Sequence, residues 1–221
     1  MARSVKGPLA GWLACTTGVV VVALLAYDVA FAQRVDASVL TRLVVERGSG
    51  RESLASFLTF FGDLSTLLVM TALACGIGWA RRWPRNAAAA LVVVAGANLT
   101  TQALKVALSH PRARELLGAE NVSWDGFPSG HVTAVASIAI AFAFVVPARL
   151  LPAVAAIGTC FVVAMGWSVL ALYWHYPSDV AGAILVAGSW GFAVLASMRF
   201  AAAARSRRPA QLGRRAAISL K

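Results

Sequence analysis

The strongest constraint on this fold comes from uninterrupted apolar segments that are long enough to cross a lipid bilayer. A membrane-spanning helix needs about 20 such residues, because each residue adds about 1.5 Å and the hydrocarbon core is about 30 Å thick. Hydrophobic residues make up 59% of the chain and charged residues only 13%, which favours lipid as the solvent. Suitable runs lie near residues 8–32, 64–80, 86–108, 130–147, 152–173 and 179–198. The sequence therefore predicts an all-α integral membrane bundle of six helices.

The polar segments between these runs are too short to bury a core of their own, so no soluble domain is expected. The predicted organisation has a first transmembrane helix and outer loop at 1–52 and a membrane core at 53–198. A basic cytoplasmic tail follows at 199–221. The segment 54–80 is too long for one upright span and contains Asp63, so a short interfacial helix at 53–61 is expected before the second span.

The first apolar run also has features of a secretory signal, because basic residues precede it and Ala30-Phe31-Ala32 resembles a cleavage site. An uncleaved span is favoured, since the run is longer than the roughly 7–15 apolar residues of a signal core. With six spans, both termini lie on the same side of the membrane.

The net charge of +11 is arranged as in a membrane protein and not as in a nucleic-acid-binding protein. Basic residues cluster in alternate connections, which by the positive-inside rule are cytoplasmic. We therefore expect a multi-pass protein of the cell membrane, most simply a bacterial inner membrane, with both termini in the cytoplasm. The tail RSRRPAQLGRR lacks interleaved aromatic residues, so contact with anionic lipid head groups is favoured over RNA binding. The basic residues used are Arg3, Lys6, Arg81, Arg82, Arg85, Arg149, Arg199, Arg205, Arg207, Arg208, Arg214 and Arg215.

Two motifs on the opposite, extracytoplasmic face carry residues suited to anion binding. In KVALSHPR, Lys105 closes the third run and Arg112 follows seven residues later. In FPSGHVTA, Ser129 is suited to cap a helix and Gly130 lets a ligand approach the backbone closely. The amides of a first helical turn attract anions, and His131 in that turn is placed to deliver a proton.

A third motif on the same face, WHYPSDVAGA, also predicts a helix start. The four-residue spacing lets the Asp179 carboxylate accept a hydrogen bond from one ring nitrogen of His175. The other ring nitrogen is then free to act as a nucleophile or base.

Together these three motifs resemble the signature of the type 2 phosphatidic acid phosphatase family, which includes membrane lipid phosphatases. The shared order is Lys, six residues, Arg; then Pro-Ser-Gly-His; then Ser, six residues, His, three residues, Asp. FPSGH and HYPSD are the most specific parts, and the resemblance extends over about residues 60–195. It agrees with the six-span layout that is common among the membrane members of the family.

The resemblance implies a lipid phosphate substrate and a role for each matching residue. His175 would attack phosphorus to form a phosphohistidine, and Asp179 would hold its ring in the reactive tautomer. His131 would protonate the departing lipid oxygen and then activate water. No metal or other cofactor is implied. The phosphoryl oxygens would be held by Lys105, Arg112, Ser129 and the amides near Gly130.

The chain departs from the family pattern at the position after Ser168, another candidate phosphate ligand. The family has arginine there, whereas this chain has Val169. A charge-assisted hydrogen bond contributes about 1.5–3 kcal/mol, so its loss predicts a slower enzyme unless another cation replaces it. Arg114, two residues after Arg112, is the candidate replacement.

Metal binding is the less favoured reading of the histidines. His110 could join the two motif histidines and the aspartate at a metal ion, but their spacing matches no short zinc pattern. Cys15, Cys75 and Cys160 all lie within apolar runs, which favours packing over disulfides or metal ligation.

The sequence thus predicts a metal-independent lipid phosphatase, with two alternatives. One is a phosphotransferase that passes the phosphoryl group to another lipid. The other is a lipid-binding membrane protein whose catalysis is weakened because Val169 replaces the arginine. Candidate substrates are phosphatidic acid, phosphatidylglycerol phosphate, a polyprenyl diphosphate and a polyprenyl-linked sugar phosphate, with an isoprenoid lipid preferred. Oligomeric state and pathway are not encoded in these motifs.

Overall fold

The computed structural model describes residues 4–108 and 126–219, with side chains to residue 205. These residues form helices joined by short turns and contain no strand, which confirms the all-α prediction for the described part of the chain. Short 3-10 turns, Phe60–Gly62 and Ala148–Leu150, precede the fourth and seventh helices. The helices are α1 Lys6–Asp28, α2 Ala30–Leu43, α3 Gly50–Thr59, α4 Leu64–Ala80, α5 Pro84–Ala107, α6 Gly130–Val145, α7 Leu151–Ala171 and α8 Pro177–Ser219.

Several of these helices are suited to cross a membrane. Four pass by length and hydropathy: α1, α5, α7 with its preceding turn, and α8 as far as Arg205. Helices α3 and α4 form a fifth candidate that is bent by 50°. Helix α6 is apolar but has only 16 residues. The protein is therefore a multi-pass membrane protein, and the count of six spans stays a prediction that requires both the bent pair and α6.

Helix α6 lies at the centre of the bundle, where it packs against α4, α5, α7 and α8. The surrounding helices turn large apolar side chains outward, including Leu68, Leu99 and Val163, which are 60%, 70% and 64% exposed. Such a surface would be unfavourable in water and is suited to contact with lipid.

Polar side chains join α5 to α6 inside the bundle. The Thr101 and Thr133 hydroxyls lie 3.0 Å apart, and Asn98 Nδ2 donates to Ser137 Oγ at 3.1 Å. Hydrogen bonds of this kind between membrane helices contribute about 0.6 kcal/mol on average, so they fix the register of the two helices more than they hold the fold together.

The ends of the bundle differ in charge. Asn86 Nδ2 donates to the Phe144 carbonyl at 2.6 Å, and Arg199 Nη1 donates to the Ser4 carbonyl at 2.9 Å. These contacts bring the starts of α1 and α5 to the same end as the last turn of α6 and the later part of α8. The described basic residues of the alternate connections lie at this end, opposite the FPSGH and HYPSD motifs.

Two segments differ from the predicted layout. The first apolar run is broken at Val29, whose backbone is extended (φ −115°, ψ 102°). The end of that run and the first part of the expected outer loop form α2 instead. This helix is held because Leu40 is buried against Leu170 and Tyr176. Helix α8 also continues beyond residue 198 into the basic tail, where four alanines at 201–204 favour helix. The three-part division of the chain stays a prediction.

The short helix expected near 53–61 is present as α3. It begins after Ser49, whose hydroxyl accepts a hydrogen bond from the Glu52 amide at 3.2 Å. Helix α3 packs on α7, and the 3-10 turn that follows it touches α6. This turn brings the start of α4 to the first residues of α6.

Gly96 on α5 should be required for close packing against α8. A Cβ there would lie 2.5 Å from the Trp190 ring, which is also held by a 3.0 Å hydrogen bond to Thr100. Gly96→Ala should therefore destabilise the fold by about 1–3 kcal/mol through overpacking, measured as a lower thermal midpoint in detergent.

The matched control is Gly76→Ala on α4, where an added Cβ meets no atom within 4 Å. This substitution should leave the midpoint unchanged or raise it slightly, because alanine favours helix more than glycine. Equal midpoints for both variants would contradict close packing at Gly96.

Candidate active site

Two helices start side by side at the end of the bundle opposite the basic residues of the alternate connections. Helix α6 begins at Gly130 after Ser129, whose hydroxyl accepts a long hydrogen bond from the Val132 amide at 3.5 Å. Helix α8 begins at Pro177. The Ser129 amide donates to the carbonyl of Asp179 at 3.1 Å, so the two first turns are joined directly. Both predicted helix starts are confirmed.

The preceding helix, α7, ends in a Schellman turn that delivers His175 to this point. The Trp174 amide donates to the Val169 carbonyl at 2.9 Å and the Tyr173 amide to Leu170 at 3.0 Å. Tyr173 takes the left-handed conformation, with φ of 63°, where glycine is the usual residue. The His175 amide also approaches the Val169 carbonyl, at 3.3 Å. The backbone of α7 therefore fixes where His175 emerges.

His175 and Asp179 form the contact that their spacing predicts. Asp179 Oδ2 lies 3.3 Å from His175 Nδ1 and also accepts the Tyr176 amide at 2.9 Å. The Asp179 side chain is fully buried and His175 is only 6% exposed. An ionised carboxylate can only accept, so Nδ1 carries the proton. The lone pair is then on Nε2, at the opposite edge of the ring.

His131 has an acidic partner of its own, which the sequence analysis did not identify. Its Nε2 lies 3.5 Å from Oδ1 of Asp63, the residue after the 3-10 turn. Gly62 permits this approach, because a Cβ there would lie 2.8 Å from the His131 Cβ. The Trp174 ring packs on another side, with its centroid 5.5 Å from that of His131.

A cavity of about 450 Å³ connects these groups. His131 and His175 both line it, together with Lys105 from the last turn of α5 and Gly130 from the first turn of α6. The structure thus gathers four of the predicted site residues around one space. The remaining lining residues are Gly62, Asp63, Leu64, Leu67, Asn98, Gln102, Ala134 and Trp174.

Two predicted phosphate ligands have other contacts. Ser129 and Ser168 are fully buried, and neither lines the cavity. The Ser129 hydroxyl caps α6, while the Ser168 hydroxyl donates to the Ala164 carbonyl within α7 at 2.8 Å. Their roles as phosphate ligands stay predictions. Arg112, Arg114 and His110 lie outside the described residues.

Val169, the residue in place of the family arginine, is fully buried in an apolar cluster. Its neighbours come from α6, α7 and α8, so the side chain contributes to the core and presents no charge to a ligand. The cluster contains Val132, Val135, Met165 and Ala183.

The part of the chain that the structure describes contains no group of three or more histidine, cysteine or acidic side chains that could hold a metal ion. The cysteines are all unpaired thiols. Cys75 Sγ lies 3.7 Å from the Ala87 carbonyl, which agrees with its predicted packing role between helices.

Asp36 is a second acidic residue that sequence reasoning missed. Its Oδ1 accepts the Ser178 amide at 3.0 Å, so a residue of α2 caps the start of α8 from 142 positions away. Its place in a segment of mixed charge offered no signal for this contact. Asp63, by contrast, offered one, because a lone acid interrupting an apolar run needs a polar partner.

Both the fold and the sequence of this chain are similar to those of known proteins. A crystal structure of a transmembrane PAP2-type phosphatidylglycerolphosphate phosphatase from Bacillus subtilis has a similar fold, with a TM-score of 0.69 and 21% identity. The similarity covers 83% of this chain and 93% of that one. None of the curated proteins matches the sequence significantly. The PAP2 superfamily matches residues 86–202, more than half of the chain and all of the FPSGH and HYPSD region. The chain therefore belongs to the PAP2 superfamily.

Proposed function

We propose that the protein is a membrane phosphatase that hydrolyses a lipid phosphate or diphosphate through a phosphohistidine on His175. The main supporting observation is the contact between the buried Asp179 carboxylate and Nδ1 of His175. The His175 ring also lines a cavity together with His131 and Lys105. Membership of the PAP2 superfamily and the fold shared with a lipid phosphatase support this assignment.

The first step is attack on phosphorus by the lone pair of His175 Nε2. A nitrogen–phosphorus bond forms as the bond from phosphorus to the lipid oxygen breaks. The Asp179 carboxylate stabilises the positive charge that develops on the ring. Because Asp179 is also held by the Tyr176 amide, it needs little reorganisation during this step.

His131 is the proposed proton donor to the departing lipid oxygen. Once neutral, it accepts a proton from water as the water oxygen attacks the phosphohistidine. The nitrogen–phosphorus bond then breaks and its electron pair returns to His175. For a phosphate monoester the net reaction consumes one water and releases a lipid alcohol and inorganic phosphate.

Positive charge at the cavity would stabilise the transferring phosphoryl group. Lys105 supplies a cation, and the exposed amides at the start of α6 supply partial positive charge near Gly130. We propose Arg112, Arg114, Ser129 and Ser168 as further ligands on the family pattern. These steps use side chains and water, so the proposed reaction is metal-independent.

The site is proposed to face the extracytoplasmic side of the cell membrane, with both termini in the cytoplasm. The basic residues of the alternate connections lie at the opposite end of the bundle, and the positive-inside rule makes that end cytoplasmic. The four arginines of residues 33–52 lie at the site end, where three acidic residues of the same segment offset them. A lipid head group could then reach the cavity from the outer leaflet. The main candidates are a glycerophospholipid phosphate and an isoprenoid phosphate or diphosphate.

A second candidate function is lipid binding with little or no catalysis. Val169 favours it, because a side chain buried in the apolar core cannot provide the cation that the family arginine supplies. Phosphate release decides between the two functions, and analysis of lipid products would detect transfer to a second lipid.

His175→Ala should abolish release of inorganic phosphate from lipid phosphates by purified protein in detergent with EDTA present. Asp179→Asn should lower kcat by up to about 10⁴-fold, as loss of the orienting carboxylate does in other triads. Gly76→Ala serves as the control for handling and detergent. Equal rates for wild type and His175→Ala would remove the proposed nucleophile.

His131→Gln should hydrolyse alkyl phosphates much more slowly than the wild type does. The rate of leaving-group departure from an aryl phosphate should fall less, because that leaving group needs no proton. With a ³²P-labelled aryl phosphate, this variant should accumulate labelled protein, because water activation is impaired after the first step. The label should be stable in alkali and labile in acid, as expected for phosphohistidine. Acid-stable label, or label that persists in His175→Ala, would contradict the mechanism.

A further inference from the structure

Asp63 is a charged residue that the proposed mechanism does not yet use, although it lines the same cavity as both histidines. Its carboxylate is half exposed, and Oδ1 lies 3.5 Å from Nε2 of His131. A half-exposed ion pair of this length contributes little to stability, because water screens the attraction. Its position beside the proposed proton donor suggests a role in the reaction.

Local structure directs the Asp63 side chain toward His131. Asp63 is the N-cap residue of α4, a position where aspartate usually accepts a hydrogen bond from its own helix. Here its side chain makes no capping hydrogen bond. The chain bends by 50° where α3 and its 3-10 turn meet α4, and Gly62 packs directly on the Cβ of His131. The bend and the missing Cβ together bring the carboxylate to the imidazole.

The charges around His131 make this carboxylate important for its protonation. Lys105 faces it from α5 and His175 faces it from the connection between α7 and α8. Burial disfavours a positive charge on the His131 ring most strongly, and His175 and Lys105 add to this effect. Together they outweigh the opposing effect of Asp63. Of the described groups that act on His131, Asp63 is the one anion, and it favours the imidazolium.

We propose that Asp63 is the positioning residue for His131, favouring its imidazolium form and orienting the ring for proton transfer. An imidazolium has two N–H donors, so pairing of Nε2 with Asp63 leaves Nδ1–H for the departing lipid oxygen. After that transfer Nδ1 accepts a proton from water, and Asp63 stabilises the imidazolium that forms again. The site thus contains two His–Asp pairs with different roles. The catalytic part of this inference rests on the proposed function.

The first test is the pH dependence of phosphate release in Asp63→Asn. Because a general acid works only when protonated, loss of the carboxylate should move the alkaline limb of kcat to lower pH. It should also lower kcat at neutral pH by about 10- to 100-fold with little change in KM. Asp63→Glu should recover part of this loss. A merely structural Asp63 would leave the position of the limb unchanged.

Two controls separate the pair from a general electrostatic effect. Asp28→Asn makes the same substitution at the exposed end of α1, near the same face but outside the cavity, and should leave the profile unchanged. In a His131→Gln background, Asp63→Asn should cause no further loss, because coupled residues are not additive. Additive losses would overturn the proposal.

The second test needs no enzymatic activity. In ¹⁵N-histidine-labelled protein in detergent, the His131 signals can be assigned by their loss in His131→Gln. Asp63→Asn should shift the His131 titration midpoint down by an amount on the order of half a pH unit, and Asp28→Asn should not. An unchanged His131 midpoint overturns the inference whether or not the protein is an enzyme. A shifted midpoint in a protein that releases no phosphate would refute the proposed function and leave the His131–Asp63 pair intact.

Discussion

The site depends on the hydrogen bond between the Ser129 amide and the Asp179 carbonyl, which joins the first turns of α6 and α8. Each helix start carries partial positive charge, so bringing two of them together is unfavourable without compensating anions. Asp179 supplies one carboxylate within the first turn of α8, and Asp36 supplies another at the Ser178 amide. The remaining positive potential faces the cavity, where a phosphoryl group would complete the compensation. The partial positive charge of the two helix starts is therefore balanced by carboxylates within the fold and, in the proposed reaction, by the phosphoryl group of the substrate.

Asp179 links folding to reactivity most directly. The carboxylate that accepts a hydrogen bond from the Tyr176 amide at the start of α8 also accepts one from Nδ1–H of His175. Its full burial excludes water that would compete for either hydrogen bond.

Helix α6 is shorter than the membrane is thick. Its 16 residues rise only about 24 Å, less than the roughly 30 Å of a hydrocarbon core. Because the central helix is short, the proposed active site at its start can lie close to the membrane surface, where the water that hydrolysis consumes is available.

The buried position of Val169 shows how an apparent gap in a motif can have a structural explanation. Its side chain fills space between α6, α7 and α8, and its carbonyl accepts the amides of both Trp174 and His175. The residue therefore helps to place the proposed nucleophile through its backbone even though it cannot bind phosphate. The cationic lining of the described cavity comes from Lys105, on a different helix.

The sequence by itself determined the features that depend on neighbouring residues. Apolar length located α1 and α4 to α8, and Ser129 and Pro177 marked two helix starts. The four-residue spacing across the start of α8 predicted the His175–Asp179 contact. Only the tertiary structure decided the contacts between distant segments. The approach of Asp63 to His131 depends on a bend and on a glycine that allows two backbones to meet, while the Asp36 cap requires α2 to turn back after Val29. Such contacts are set by how helices pack, and no local periodicity encodes the distance between residues 63 and 131.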